Sequence, residues 1–280
     1  MASHPNFQVP ADRPHFAVWP KRLPRAVIAP ETSLWFNLEV TATRFPDRAA
    51  YSFFGRALSY RELRADAEAI AGWLQQAGVA KGDRVAVFMQ NCPQFTIALY
   101  GVMRANAVVV PVNPMNRAEE FKHYIRDPQT KVVICSADLA PIVAAANAAL
   151  PESERAQHVL VTRYTDTMPE GVIDLLDAPS PAMDAWLRST PDLPPGCTRW
   201  SDALGQGLRP GPHTAQPDDL ALLPYTSGTT GMPKGCMHTH RTLMHNTVGG
   251  LWGYGGGPEP VGLGVVPMFH ITGMLYSVLG

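Results

Sequence analysis

Cysteine is scarce and scattered in this sequence. Cys92, Cys135, Cys197 and Cys236 are the only four, and no two form a C-x-x-C pair. Their spacing suits neither a zinc ribbon nor a disulfide framework, so separate reduced thiols in a cytoplasmic protein are expected. No Asn-x-Ser/Thr acceptor occurs. A charge excess is also missing: 23 Lys and Arg stand against 24 Asp and Glu, a net charge of −1. That balance supplies no field for nucleic acid or an anionic membrane, and either partner would need a local patch. The first twenty residues place Pro5, Pro10, Pro14 and Pro20 among charges, unlike the apolar run of a signal peptide. Residues 261–280 carry no formal charge and are long enough to cross a bilayer. They also hold Gly262, Gly264, Pro267, His270 and Gly273, so a buried strand followed by the start of a helix is expected instead of a transmembrane span.

What is present is core material, with 46% apolar and 17% charged residues over 280 positions. Residues 1–34 read as an extended arm. Residues 49–54 predict a strand, Gly55-Arg56-Ala57 a turn and residues 58–60 a short returning strand. Ser59 and Glu62 form a capping-box pair, and Leu63, Ala67, Ile70, Ala71 and Leu74 follow at helical spacing until Gly78. Strand and helix patterns then alternate to residue 161, which indicates βαβ units and a largely parallel sheet flanked by helices, an α/β fold. Residues 164–217 are rich in proline and predict an ordered surface excursion with one short helix near 183–188.

A strand pattern at 219–223 runs straight into Tyr225-Thr226-Ser227-Gly228-Thr229-Thr230-Gly231-Met232-Pro233-Lys234-Gly235. Glycines let backbone N–H groups turn toward an anion, hydroxyls add uncharged donors, and Lys234 adds a mobile cation. This composition is that of a polyphosphate cradle. It is not the P-loop, because Pro233 and Gly235 stand where that motif needs Gly and Ser/Thr around its lysine; the dinucleotide fingerprint lacks its G-x-G start. The bland alternative, a flexible Gly/Thr surface turn, leaves so many coordinated choices without a use. His238, His240 and His245 could suggest zinc, but no third ligand has suitable spacing, and solvated or capping roles are expected.

The loop resembles the signature of the adenylate-forming superfamily, which includes acyl-CoA synthetases and the adenylation domains of peptide synthetases. Leu58-Ser59-Tyr60-Arg61-Glu62-Leu63, Gly82-Asp83-Arg84-Val85-Ala86, the run from Met103 to Pro114, and Val266-Pro267-Met268-Phe269-His270-Ile271-Thr272-Gly273 resemble its neighbouring motifs, in family order.

The resemblance implies a carboxylic acid:CoA ligase acting on a fatty or aryl acid with ATP, Mg2+ and coenzyme A. Acyl-adenylate forms first, and the CoA thiol then displaces AMP. Thr226, Ser227, Gly228, Thr229, Thr230, Gly231 and Lys234 fall on the phosphate-binding loop, and Thr226 is the candidate Mg2+ ligand. His270 falls where such ligases line the acyl pocket, although a packed, hydrogen-bonded histidine is the plain alternative. Peptide-synthetase domains usually carry Phe-Asp there, so Met268-Phe269-His270 favours the CoA ligase. Trp252, Tyr254, Phe269 and Tyr276 are expected in the core or an acyl tunnel.

By the same resemblance, residues 35–80 and 246–280 belong to one incomplete subdomain and 81–245 to another. The family's adenine-stacking motif, Mg-binding glutamate, ribose aspartate and C-terminal lysine domain are not in this sequence, so a truncated and inactive fragment is expected. A non-catalytic nucleotide-binding fragment and an amino-acid adenylation domain stand as alternatives. The acid's length and the oligomeric state are not legible.

Overall fold

The computed structural model describes residues 13–169, 178–226, 231–254 and 261–279. Helix α1 (Trp35–Arg44) leads to an antiparallel ladder of β1 (Ala49–Phe53) with β2 (Arg56–Ser59). The turn lies at Phe54-Gly55, not at the expected Gly55-Arg56-Ala57, and both residues have positive φ, 45° and 83°. Two left-handed residues in succession match the twist of a two-residue hairpin, so Arg56 and Ala57 enter the ladder. Ser59 Oγ accepts from Glu62 N, and the Glu62 carboxylate accepts from Ser59 N at 2.8 Å. This capping box starts α2 (Tyr60–Gln76), whose predicted apolar stripe is fully buried.

The alternating part comprises β3 (Arg84–Phe88), α3 (Pro93–Arg104), β4 (Val108–Pro111), α4 (Ala118–Arg126), β5 (Thr130–Ser136), α5 (Ala140–Ala148) and β6 (His158–Thr162). It continues with α6 (Pro181–Leu187), β7 (Cys197–Arg199), α7 (Trp200–Gly205) and β8 (Leu220–Leu222). Two-residue strands β9 (Tyr225–Thr226), β10 (Lys234–Gly235) and β11 (His238–Thr239) precede α8 (His240–Tyr254) and α9 (Ile271–Met274). Seven strands form one sheet in the order β11-β8-β4-β3-β5-β6-β7, parallel except for β11.

Both faces of this sheet are covered. Val85, Val87 and Ile134 pack with α1, α2, α3 and α7, whereas Ala86, Phe88, Val133 and Cys135 pack with α4 and α5. An uninterrupted apolar run is what a strand buried on both sides requires. The chain builds outward from β3 to β4 on one side and to β5 on the other. The order therefore reverses at β3, and the carboxyl ends of these strands border the natural crevice for a ligand.

Two expectations are corrected. The stretch 164–217 is more than a surface excursion, because β7 pairs in parallel with β6 and Trp200 is buried. A three-residue strand is too short to display a period. Residues 261–266 form no strand: Val261, Leu263 and Val265 are 98%, 86% and 70% exposed. Val265 N bonds to Leu263 O, a tight bend incompatible with an extended ladder. Among the described residues no helix is long and apolar enough to cross a membrane.

Candidate functional site

The phosphate-loop sequence hangs between two paired stems. Thr226 lies opposite Lys234, and Tyr225 opposite Gly235, in an antiparallel register. Leu223 N bonds to Val109 O, which ties the start of this hairpin to β4. The last turn of α4 braces both stems. Tyr225 Oη donates to Asp127 Oδ2 at 2.5 Å, and His123 Nε2 donates to Pro233 O at 2.7 Å. The Tyr225 ring also lies 5.5 Å from His123, edge to face, and 4.7 Å from Tyr124. Burial, then the Asp127 carboxylate, pushes the Tyr225 phenol well above its ordinary range, so it stays a neutral donor.

Of the predicted site residues, Thr226, Gly231 and Lys234 are exposed at the mouth of this hairpin, while Ser227, Gly228, Thr229 and Thr230 lie outside the described residues. Thr226 Oγ1 makes a long 3.5 Å bond to Lys234 O. A hard hydroxyl oxygen fits Mg2+, which takes few protein ligands when phosphates supply the rest. Among the described residues no three His, Cys, Asp or Glu gather into a further metal cluster. The bracing pair His123 and Asp127 escaped the sequence. Their spacing of one helical turn was visible, but their partners Pro233 and Tyr225 lie about a hundred residues away.

The three histidines do not share a role. His245 is exposed and His238 half-buried, but His240 is only 1% exposed, so of the expected solvated or capping roles it does not take the solvated one. It sits under the chain at 33–34, where its Nδ1 accepts from Leu34 N at 3.2 Å. Burial, reinforced by nearby His213, lowers its pKa from 6.5 to about 4. His213 Nε2 lies 2.6 Å from Ser33 Oγ on the same segment.

His270 is exposed and caps α9, its Nδ1 accepting from Thr272 N at 3.4 Å. Phe269 is half-buried against the core, whereas Tyr276 is 55% exposed and so is not a core residue; the side chains of Trp252 and Tyr254 lie outside the described residues. The segment after His270 docks on α3 and β1. Tyr51 Oη donates to Ser277 O at 2.7 Å, Thr96 Oγ1 donates to Tyr51 Oη, and Tyr100 Oη donates to Val278 O at 3.1 Å. Gly273 is required by close approach, since a Cβ there would stand 2.1 Å from Pro267 O.

Residues 38–280 match the family model described as AMP-binding enzyme. The chain is 33% identical to a long-chain-fatty-acid–CoA ligase of Bacillus subtilis, over 94% of its own length and 47% of the relative. It is 32% identical to one of Salmonella typhimurium, over 94% and 48%. The solved N-terminal domain of FACL13 from Mycobacterium tuberculosis superposes with a TM-score of 0.63 at 27% identity, covering 88% of this chain and 54% of that one. The chain thus spans about half the length of the curated relatives it matches.

Proposed function

This chain belongs to the AMP-binding enzyme family, and we propose that it supplies the phosphate-holding part of an ATP-dependent ligase joining a fatty or aryl acid to coenzyme A. The observation that carries this reading is the β9–β10 hairpin, which presents Thr226 and Lys234 side by side at the carboxyl edge of a parallel sheet. In the first step a carboxylate oxygen attacks the α-phosphorus of ATP, the bond to pyrophosphate breaks, and acyl-adenylate forms. In the second, the CoA sulfur attacks the acyl carbon and AMP departs. Lys234 and the donors that Ser227, Gly228, Thr229, Thr230 and Gly231 bring by composition hold the β- and γ-phosphates, stabilising charge on the leaving pyrophosphate. Bound Mg2+ would neutralise phosphate charge, with Thr226 among its ligands. The Tyr225–Asp127 and His123–Pro233 bonds keep the stems from splaying as that charge develops.

His270, whose ring is exposed at the start of α9, is the proposed contact for the acid. The division into interleaved units, 35–80 with 246–280 and 81–245, finds support in the separate β1–β2 ladder, from which Tyr51 reaches Ser277. Pyrophosphate exchange with a panel of acids, run on the full reading frame, tests the reading. Lys234→Ala is expected to lower exchange about 100-fold or more, and unchanged exchange would reject the assignment. Exchange driven by amino acids alone would move the protein to the peptide-synthetase type. The 280-residue chain by itself is expected to bind ATP weakly and to catalyse no exchange.

A further inference from the structure

We propose that Asn91 is the positioning residue of the acyl subsite, fixing the turn that presents His270. The proposal rests on the reading above and deepens it. Asn91 lies just past β3, at the end of the strand about which the sheet order reverses. Its side-chain amide is used on both sides. Nδ2 donates to Gly264 O at 3.0 Å and to Val266 O at 2.9 Å, and Oδ1 accepts from Met268 N at 2.7 Å. Two donors and an acceptor thus grip three alternate main-chain positions, the spacing a neighbouring strand would address.

That grip matters because little else holds the segment. Among the described residues, 261–266 pairs with no strand, and its valines and leucine face outward. Directly after the grip the chain is stiff. Met268 is buried, His270 N bonds to Pro267 O, Met274 N bonds to His270 O, and Gly273 abuts Pro267. A displacement at Met268 is therefore passed to His270 instead of being absorbed between them. Among the described residues Asn91 bonds to neither β9–β10 stem, and its partners are Gly264, Val266 and Met268, so its influence is expected on the acid and not on ATP.

Asn91→Ala removes all three bonds. Asn91→Asp keeps the acceptor for Met268 N but replaces two donors with a carboxylate facing two carbonyl oxygens. In the full-length protein both variants are expected to raise KM for the acid about tenfold and to reorder preference among acids of different length, with KM for ATP unchanged. In hydrogen exchange, Asn91→Ala is expected to deprotect Met268 N, while Asn91→Asp leaves it protected and β3 and β5 keep their protection in both. Should Asn91→Ala fail to fold, Asn91→Ser drops the same grip at smaller cost in volume. Equal loss of kcat for every acid, parallel rises in KM for acid and ATP, or unaltered Met268 exchange in Asn91→Ala would overturn the proposal. If the unsubstituted protein activates no acid, the ligase reading fails and takes the acyl half of this inference with it; the exchange result still decides the anchor.

Discussion

His240 begins α8 from beneath the chain at 33–34, and its neutral ring is what that place requires, since Nδ1 must accept from Leu34 N. Burial leaves the folded imidazole at about 4 against 6.5 for the ordinary group. Between those values the unfolded chain binds the extra proton, so the stabilisation is whole above pH 6.5 and drains away as pH falls toward 4. At most about 3 kcal/mol is at stake. His213, also lowered by burial, acts in the same direction. Urea unfolding is expected to show a steep fall in stability from pH 7 to 5, much flattened in His240→Gln. An equally steep fall in that variant would assign the effect elsewhere. At this scale the loop residues were legible because glycine, hydroxyl and lysine state their chemistry by type. His240 was not, since nothing near it in sequence reveals Leu34 as a partner.

Elements whose signals are local are legible in the sequence. Ser59 and Glu62 declare the start of α2 within four residues, and the exchange of bonds between them also holds the Glu62 carboxyl below its usual range. Ser59→Ala is expected to cost about 1 kcal/mol by chemical denaturation. At the other end of the chain, Gly273→Ala sets a methyl against Pro267 O, and either α9 or the 267–270 turn has to shift. In the full-length protein this is expected to impair use of the acid far more than binding of ATP, measured by separate titrations. Strand β7 and residues 261–266 depart from their sequence patterns for opposite reasons. The first is made a strand by β6 beside it despite a weak pattern; the second has a strong apolar pattern and no neighbour among the described residues with which to pair. Strand identity is settled by partners as much as by composition.

For the molecule as a whole, the apolar run at 261–266 is an exposed patch of a kind that associates. The 280-residue chain is expected to self-associate as its concentration rises, and a Val261→Ser/Leu263→Ser/Val265→Ser variant to remain monomeric with the same circular dichroism. Sedimentation velocity distinguishes the two, and identical profiles would dismiss the patch as the cause. The sheet itself was legible because its strands are buried on both faces and read as apolar runs. Strand order and the bracing of the hairpin were not, since both depend on contacts between distant parts of the chain.

The ties that hold the closing segment have one trait in common. Asn91, Tyr51 and Tyr100 all grasp main-chain atoms of that segment, at Gly264, Val266, Met268, Ser277 and Val278. A fastening that ignores side-chain identity leaves most of those side chains free to change without coming loose. The frame can thus keep its seating while exposed side chains such as those of Val261, Leu263 and Val265 are exchanged, so sequence change there is expected to be tolerated by the fold.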